Sequence, residues 1–292
     1  MKTNLRSLVF FLSPALILLS IFLLIPIGAA VYMSFNKIGV EALIDPQTIS
    51  FVGIANYTQI IFHDELFRKA LLNTIIVLVI AMPLTVVLSL SLAVLINSKL
   101  TKFSSLFRVG FYLPAISNTI AVALVWKWLL NGDYGLINYL LSLVGIDGPQ
   151  WLTNEHTAIF TIIMLVVWKG IGPNTILYMA ALSSVPDSVK EAAEIDGASA
   201  WQRFIKITVP MLAPTTTYIS IMLLIGYLQL FEEPFMLTGG GPVNSTTSIV
   251  MLIYNEAFKY FNFGYASAIS MVLFFIIFAV SLIRIKLTKL GS

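Results

Sequence analysis

Uncharged apolar runs long enough to cross a lipid bilayer constrain this chain more than any other feature. A hydrocarbon core about 30 Å thick takes roughly 20 helical residues at a rise of about 1.5 Å each. Five runs qualify without a single charge: Leu8 to Val31, Leu71 to Ile96, Val109 to Trp126, Ile207 to Phe231 and Tyr260 to Ile283. A sixth, Thr157 to Leu182, is interrupted only by Lys169. Carried to their flanks, the runs predict an all-α polytopic protein, one domain over residues 1–292, with six transmembrane helices at about 8–31, 71–96, 107–130, 157–182, 207–234 and 260–285. Charged residues make up only 11% of the chain, against about 25% in a soluble domain. Prolines and glycines scattered through the runs argue against simple rods, because neighbouring helices in a membrane re-satisfy the backbone groups that such residues free.

The first run exceeds the roughly 7–15 residues of a signal peptide's apolar region and has no small-residue cleavage site after it, so it reads as a retained span. Orientation follows from the basic residues of the flanks and short loops. With the amino terminus inside, Lys2, Arg6, Lys99, Lys102, Arg108, Lys190, Arg203, Lys206, Arg284, Lys286 and Lys289 face the cytoplasm, while only Lys37, Arg68, Lys69 and Lys259 lie outside. This predicts a cell (inner or cytoplasmic) membrane protein with both termini cytoplasmic, and places residues 186–206 in the cytoplasm. The net charge of +3 reflects that asymmetry. No basic stripe with interleaved aromatics points to nucleic acid.

Between the fourth and fifth runs, residues 184–204 read as two short helices with a break. Ser188 and Glu191 are spaced as a capping box, with Pro186 and Asp187 as start signals just upstream. Gly197 suits a helix-ending position with positive φ, and Ser199 with Gln202 repeats the capping pattern. On these residues alone the segment is either a bilayer-surface amphipathic helix or a site for a partner.

Glu191-Ala192-Ala193, followed by Gly197 and then Ile207, Val209 and Pro210, resembles the EAA loop of the membrane subunits of binding-protein-dependent ATP-binding-cassette importers. The context SVPDSVKEAAEIDGASAWQRFIKITVPMLAP is similar to the sugar permeases of the carbohydrate-uptake group that includes the maltose system, with Val209 where that family usually has Leu. FVGIANYTQI (51–60), YLPAISNTIAVALVWKWLLNGDYGLIN (112–138) and LTGGGPVNSTT (237–247) resemble segments of the same permeases in the same order. The resemblance implies that Glu191, Ala192, Ala193, Asp196, Gly197, Phe204 and Pro210 couple the chain to a cytoplasmic ATPase, Glu191 pairing with a basic residue and the two alanines packing in a cleft. It further implies two ATP-binding-cassette subunits, a second and homologous permease chain, and an extracytoplasmic sugar-binding protein that Gly239 to Pro242 can contact.

The residues agree with a division of labour. No G-x-x-x-x-G-K-[ST] phosphate loop occurs, so ATP and magnesium belong to partner subunits and this chain needs no cofactor of its own. Neither metal-ligand clusters nor hydrolase motifs are present, His63 and His156 are isolated, and the chain reads as a non-catalytic subunit.

Polar groups inside spans are expensive and usually face a cavity or one another. The candidates for a substrate pathway are Asn118, Lys169, Gly170, Asn174, Tyr227, Gln229, Glu232 and Glu233. Lys169 lies about 18 Å along the helix from Thr157, too deep to snorkel comfortably, and is either a pathway residue or half of a buried ion pair. Pro173, flanked by Gly170 and Gly172, predicts a break or kink. Tyr227 and Gln229 combine a ring face with amide hydrogen bonds, which suits a sugar. In the maltose-type permeases the positions of Gly170 and Tyr227 line the substrate site, although Pro173 and Gly226 stand where aromatics would be expected. Glu232 and Glu233 read as acids near the outer surface, solvated or paired with Lys259, or as substrate contacts. Lys127, between Trp126 and Trp128, reads as an interfacial anchor. Two rival readings are an ion-coupled secondary transporter, for which internal repeats are wanting, and a non-transporting membrane scaffold.

Overall fold

The computed structural model describes residues 5–97 and 104–290. Helix α1 (Leu5–Leu19) runs through a π turn into α2 (Ile25–Ser34), and the short α3 (Ala55–Thr58) precedes the 33-residue α4 (Glu65–Asn97). Next come α5 (Ser104–Ile116), α6 (Thr119–Leu129), α7 (Leu136–Ser142) and the 29-residue α8 (Glu155–Ser183). After α9 (Asp187–Ile195), α10 (Ala200–Arg203) and α11 (Val209–Met211), the chain continues through α12 (Ala213–Leu228), α13 (Glu232–Leu237), α14 (Ile249–Tyr254) and α15 (Phe263–Leu290). Side-chain oxygens start several of them: Asp64 Oδ1 accepts the Phe67 N–H at 2.8 Å, and Asn154 accepts that of His156 at 2.8 Å, each satisfying a donor that the first helical turn cannot.

Among the described residues, four helices are long and apolar enough to span a bilayer: Val9–Ser34, Glu65–Asn97, Glu155–Ser183 and Phe263–Lys286. Two further stretches qualify only as bent pairs, Leu106–Ile116 with Thr119–Leu129 at 98° and Ala200–Met211 with Ala213–Leu228 at 64°. Counted as one span each, they bring the total to six. The continuous third span expected over 107–130 is therefore broken at Ser117 and Asn118. There Asn118 leaves helical geometry and its Oδ1 accepts the N–H groups of Ile120 and Ala121, which restores the bonds that the break removes. The fifth, expected over 207–234, turns at Leu212 and ends at Leu228, so Glu232 and Glu233 sit on a separate helix. Conversely, α8 continues unbroken past Pro173. Polar side chains surround that site, Ser89 and Thr175 donating to the Ile171 carbonyl and Asn174 to that of Gly170. Of the basic residues assigned to the inner face, Lys2, Lys99 and Lys102 lie outside the described residues, as do the side chains of Arg6, Lys190 and Lys289.

The chain divides into two compact units, residues 1–67 with 252–276 and residues 68–251 with 277–292. In the first, Phe10, Phe11 and Phe22 are 73, 78 and 74% exposed, a surface that hydrocarbon rather than water would solvate. A two-residue antiparallel pairing, β1 (Asn36–Lys37) with β2 (Ser50–Phe51), is tied down by Asn56, whose Nδ2 donates to the carbonyls of Ser34 and Asn36 at 2.9 and 3.1 Å. Tyr265 donates its hydroxyl to the helix-starting Asp64 at 2.5 Å.

The second unit is organised around α8. Ile162, Leu165 and Val166 pack with Val77 and Ala81 of α4, Ala123 of α6 and Leu237 of α13. Farther along, Tyr178, Met179 and Leu182 pack with Ala93, Ile96, Leu212 and Ile219, and the Tyr178 hydroxyl donates to Thr216 at 3.1 Å. Helix α5 meets α8 backbone to side at Gly172, where an added methyl would lie 2.0 Å from the Phe111 carbonyl oxygen. Only glycine permits that approach. Gly172→Ala is expected to cost about 1–3 kcal/mol by forcing α5 outward, read as a lower thermal midpoint of the purified protein in detergent. Gly110→Ala on α5, where nothing lies within 4 Å, leaves the midpoint unchanged or raises it. Equal behaviour of the two variants would refute the close-contact account.

Candidate functional site

A cleft of about 500 Å³ opens in the second unit where α8, the end of α12 and the start of α13 converge, with Ala115 of α5 on its wall. It brings together six of the eight candidates singled out from the sequence, Lys169, Gly170, Tyr227, Gln229, Glu232 and Glu233, together with Gly226, and adds Met222 and Phe231. Tyr227 is only 7% exposed, and its hydroxyl is engaged with Thr85 Oγ1 at 2.9 Å. The ring closes the cleft's inner wall and presents little free face to stack on. Gln229 is exposed at the C-cap of α12 and has no side-chain partner among the described residues, leaving its amide free for a ligand.

Lys169 forms the strongest polar contact of the cleft. Its Nζ donates to Glu233 Oε1 at 2.9 Å and to Thr119 Oγ1 at 2.7 Å, joining α8, α13 and the start of α6. Both charged side chains are mostly buried, at 17 and 13% exposed, so neither charge could stay there alone without a large desolvation cost. Of the two acids, Glu232 and Glu233, expected to be solvated, paired with Lys259 or in contact with substrate, Glu233 takes Lys169 as its partner. Glu232 remains exposed, without a partner among the described residues.

Two candidates do not reach the cleft. Asn118 caps α6, and Asn174 is buried with its amide donated to its own helix at Gly170. Thr85 and Thr119 were missed. Each is a hydroxyl inside an apolar run, where a polar group needs a partner, and that position is the signal that could have found them.

The second feature is the segment after α8. Helix α9 starts at Asp187 with Pro186 at its N-cap, so Ser188 lies inside the helix and the expected box with Glu191 does not form. Its far end is as anticipated: Gly197 has φ +77°, the Ala198 N–H reaches the Ala193 carbonyl at 2.9 Å, and the Gly197 N–H reaches that of Glu194 at 3.0 Å. This pair of bonds is a Schellman closure, which satisfies the orphan carbonyls of a helix end. Ser199 and Gln202 then form a complete capping box for α10, and Arg203 pairs back to Glu194 across the turn. Glu191, Ala192, Asp196, Gly197 and Pro210 are exposed, with Ala193 and Phe204 half-buried. Ile195 and Trp201 stand 87 and 70% exposed beside them.

The Gly239 to Pro242 turn is held more firmly than an exit loop requires. Lys69 donates to the Val243 carbonyl at 2.6 Å, and Asn73 donates to those of Asn244 and Thr247, strapping residues 243–247 to the first turns of α4.

The fold and site define a multi-span α-helical membrane protein with a polar cleft among its helices and an exposed, capped helical turn. Residues 62–286 match the family of the binding-protein-dependent transport system inner membrane component, and the chain belongs to that family. It is 34% identical to the arabinooligosaccharides transport system permease protein AraP of Bacillus subtilis (strain 168), over 95% of this chain and 87% of that one. With the lactose transport system permease protein LacF of Rhizobium radiobacter it shares 35% identity over 94 and 91% of the two chains. A chain in the crystal structure of a bacterial ABC transporter involved in the import of the acidic polysaccharide alginate superposes with a TM-score of 0.81 at 24% identity, covering 97% of this chain and 95% of that chain. That likeness establishes the fold.

Proposed function

We propose that this chain is a permease subunit of an ABC importer that carries a sugar or oligosaccharide into the cell by alternating access. A liganded binding protein docks outside, two ATPase subunits close inside, and the segment around α9 and α10 converts that closure into movement of the spans. The chain is non-catalytic; ATP and magnesium bind to the partners. Six spans, cytoplasmic termini and a companion permease of related sequence complete the reading, since one chain offers one coupling segment and two ATPases need two.

The observation that carries it is the exposed two-helix turn. Ile195 lies bare on a segment outside every candidate span and Trp201 lies bare where the bent fifth span begins, while caps at both sides of the turn hold its shape. Exposed large apolar side chains mark a surface that a partner covers, and the charged residues around them, Glu191, Glu194 and Asp196, suit a protein partner on this reading. Capping suits the segment to transmit force as one body.

A tagged copy purified in mild detergent tests this. Mass spectrometry is expected to find a Walker-motif ATPase and a second multi-span permease, and a saccharide with its binding protein is expected to stimulate ATP hydrolysis by the assembly. Recovery of the chain alone, where a control importer stays whole, would overturn the proposal.

A further inference from the structure

We propose that the cleft takes an uncharged saccharide and that Glu232 is the residue that turns acidic ones away. The charged groups of the lining are Lys169, Glu232 and Glu233. Lys169 is the cation of that lining, and its charge is compensated by Glu233 at 2.9 Å. Glu232 has no such partner among the described residues and is exposed. The lining therefore carries one net negative charge, displayed by Glu232.

The backbone presents helix ends of opposite sign that offset each other, since α13 begins in this wall with Phe231 at its N-cap and Glu232 as its first residue. Helix α12 ends at the cleft, with Gly226, Tyr227 and the C-cap Gln229 all in its wall. The C-terminal end of a helix carries roughly half a negative charge. A carboxylate on a saccharide placed here meets the charge of Glu232, within a Debye length of about 8 Å and beside low-dielectric walls that weaken screening. Neutral hydroxyls meet instead an uncommitted amide at Gln229 and an acceptor at Glu232, both of which a sugar can use. The alginate importer of similar fold handles an acidic polysaccharide, so the fold itself does not set the charge of the cargo.

Given a sugar as cargo, as proposed above, the test is equilibrium binding to the assembled importer in detergent without its binding protein, so that only the membrane cleft selects. The probes are radiolabelled lactose, maltotriose and arabinotriose, and each one's counterpart oxidised at a primary hydroxyl to the carboxylate. For whichever neutral probe binds, its acidic counterpart is expected to bind roughly tenfold or more weakly. Glu232→Gln should narrow that ratio to about threefold or less, and Glu232→Lys should invert it. Equal retention of acidic and neutral probes by the unmodified importer, or a ratio unmoved by Glu232→Lys, would overturn the role of Glu232 and leave a sugar permease standing. Retention of no probe of either charge, with no saccharide stimulating ATP hydrolysis, would remove the sugar reading and this assignment with it.

Discussion

Gly197→Pro is expected to insert in the membrane at normal levels and to abolish uptake. The turn between α9 and α10 needs φ +77° at this position, and proline is confined to about −65°. Proline also removes the N–H that reaches the Glu194 carbonyl at 3.0 Å, one of the two bonds that close α9. The capping box at Ser199 would then point α10 in a new direction while the spans, which pack elsewhere, keep their contacts. Gly197→Ala separates shape from bulk. Nothing lies within 4 Å of an added methyl there, so alanine suffers only the left-handed backbone penalty of about 1–2 kcal/mol and should retain measurable transport. Uptake of the stimulating saccharide, normalised to the protein found in membranes, reads both variants. Normal uptake by the proline variant would exclude the turn from energy coupling.

That turn was legible because its determinants are local. Gly197, Ser199 and Gln202 act within a few residues of one another, and the structure places all three in the roles their spacing suggests. Ser188 with Glu191 has the same spacing and fails, because Pro186 already supplies the extended residue before the helix and α9 begins two positions earlier than a box at Ser188 requires. Local rules also explain the span breaks better than hydropathy does. Averaging over a long apolar run hides Asn118, yet Ser-Asn-Thr within such a run carries the N-cap signal that interrupts it. The size of the bend could not be read that way, for it depends on how α5 rests against α8 at Gly172.

Non-local pairs marked the limit in the cleft. Lys169 and Glu233 are 64 positions apart, and Thr85 and Tyr227 142 apart, so the sequence offered alternatives for Lys169 and Glu233 and no partner for Tyr227. For Lys169 those alternatives were a pathway residue or an ion pair, and geometry joins them: the pair lines the cleft. For Tyr227 geometry chooses against the expected stacking platform, since a ring 7% exposed with its hydroxyl engaged by Thr85 supports the wall. On the proposed reading, the polar contacts to a sugar pass to Gln229 and Glu232, the lining side chains left without a partner among the described residues.

Removing one partner of the Lys169–Glu233 pair is expected to destabilise the protein more than removing both. Lys169→Met leaves a carboxylate 13% exposed with no cation beside it, and Glu233→Gln leaves an ammonium 17% exposed whose described contact is then an uncharged amide and the Thr119 hydroxyl. Breaking a buried pair from one side costs about 3–5 kcal/mol, and the residual exposure here places each single variant near about 3. For a chain of this size that corresponds to a fall of roughly 6–12 °C in thermal midpoint. The double variant Lys169→Met with Glu233→Gln carries no uncompensated charge, so it should recover at least half of the loss. Midpoints of the purified importer in detergent give the cycle directly. A double variant whose loss equals the sum of the singles would mean that the two groups do not interact in the membrane. Uptake separates stability from function: if the pair also opens and closes the cleft, the double variant regains its midpoint without regaining transport, because neutral Met and Gln can pack but cannot pull α8, α13 and α6 together and release them.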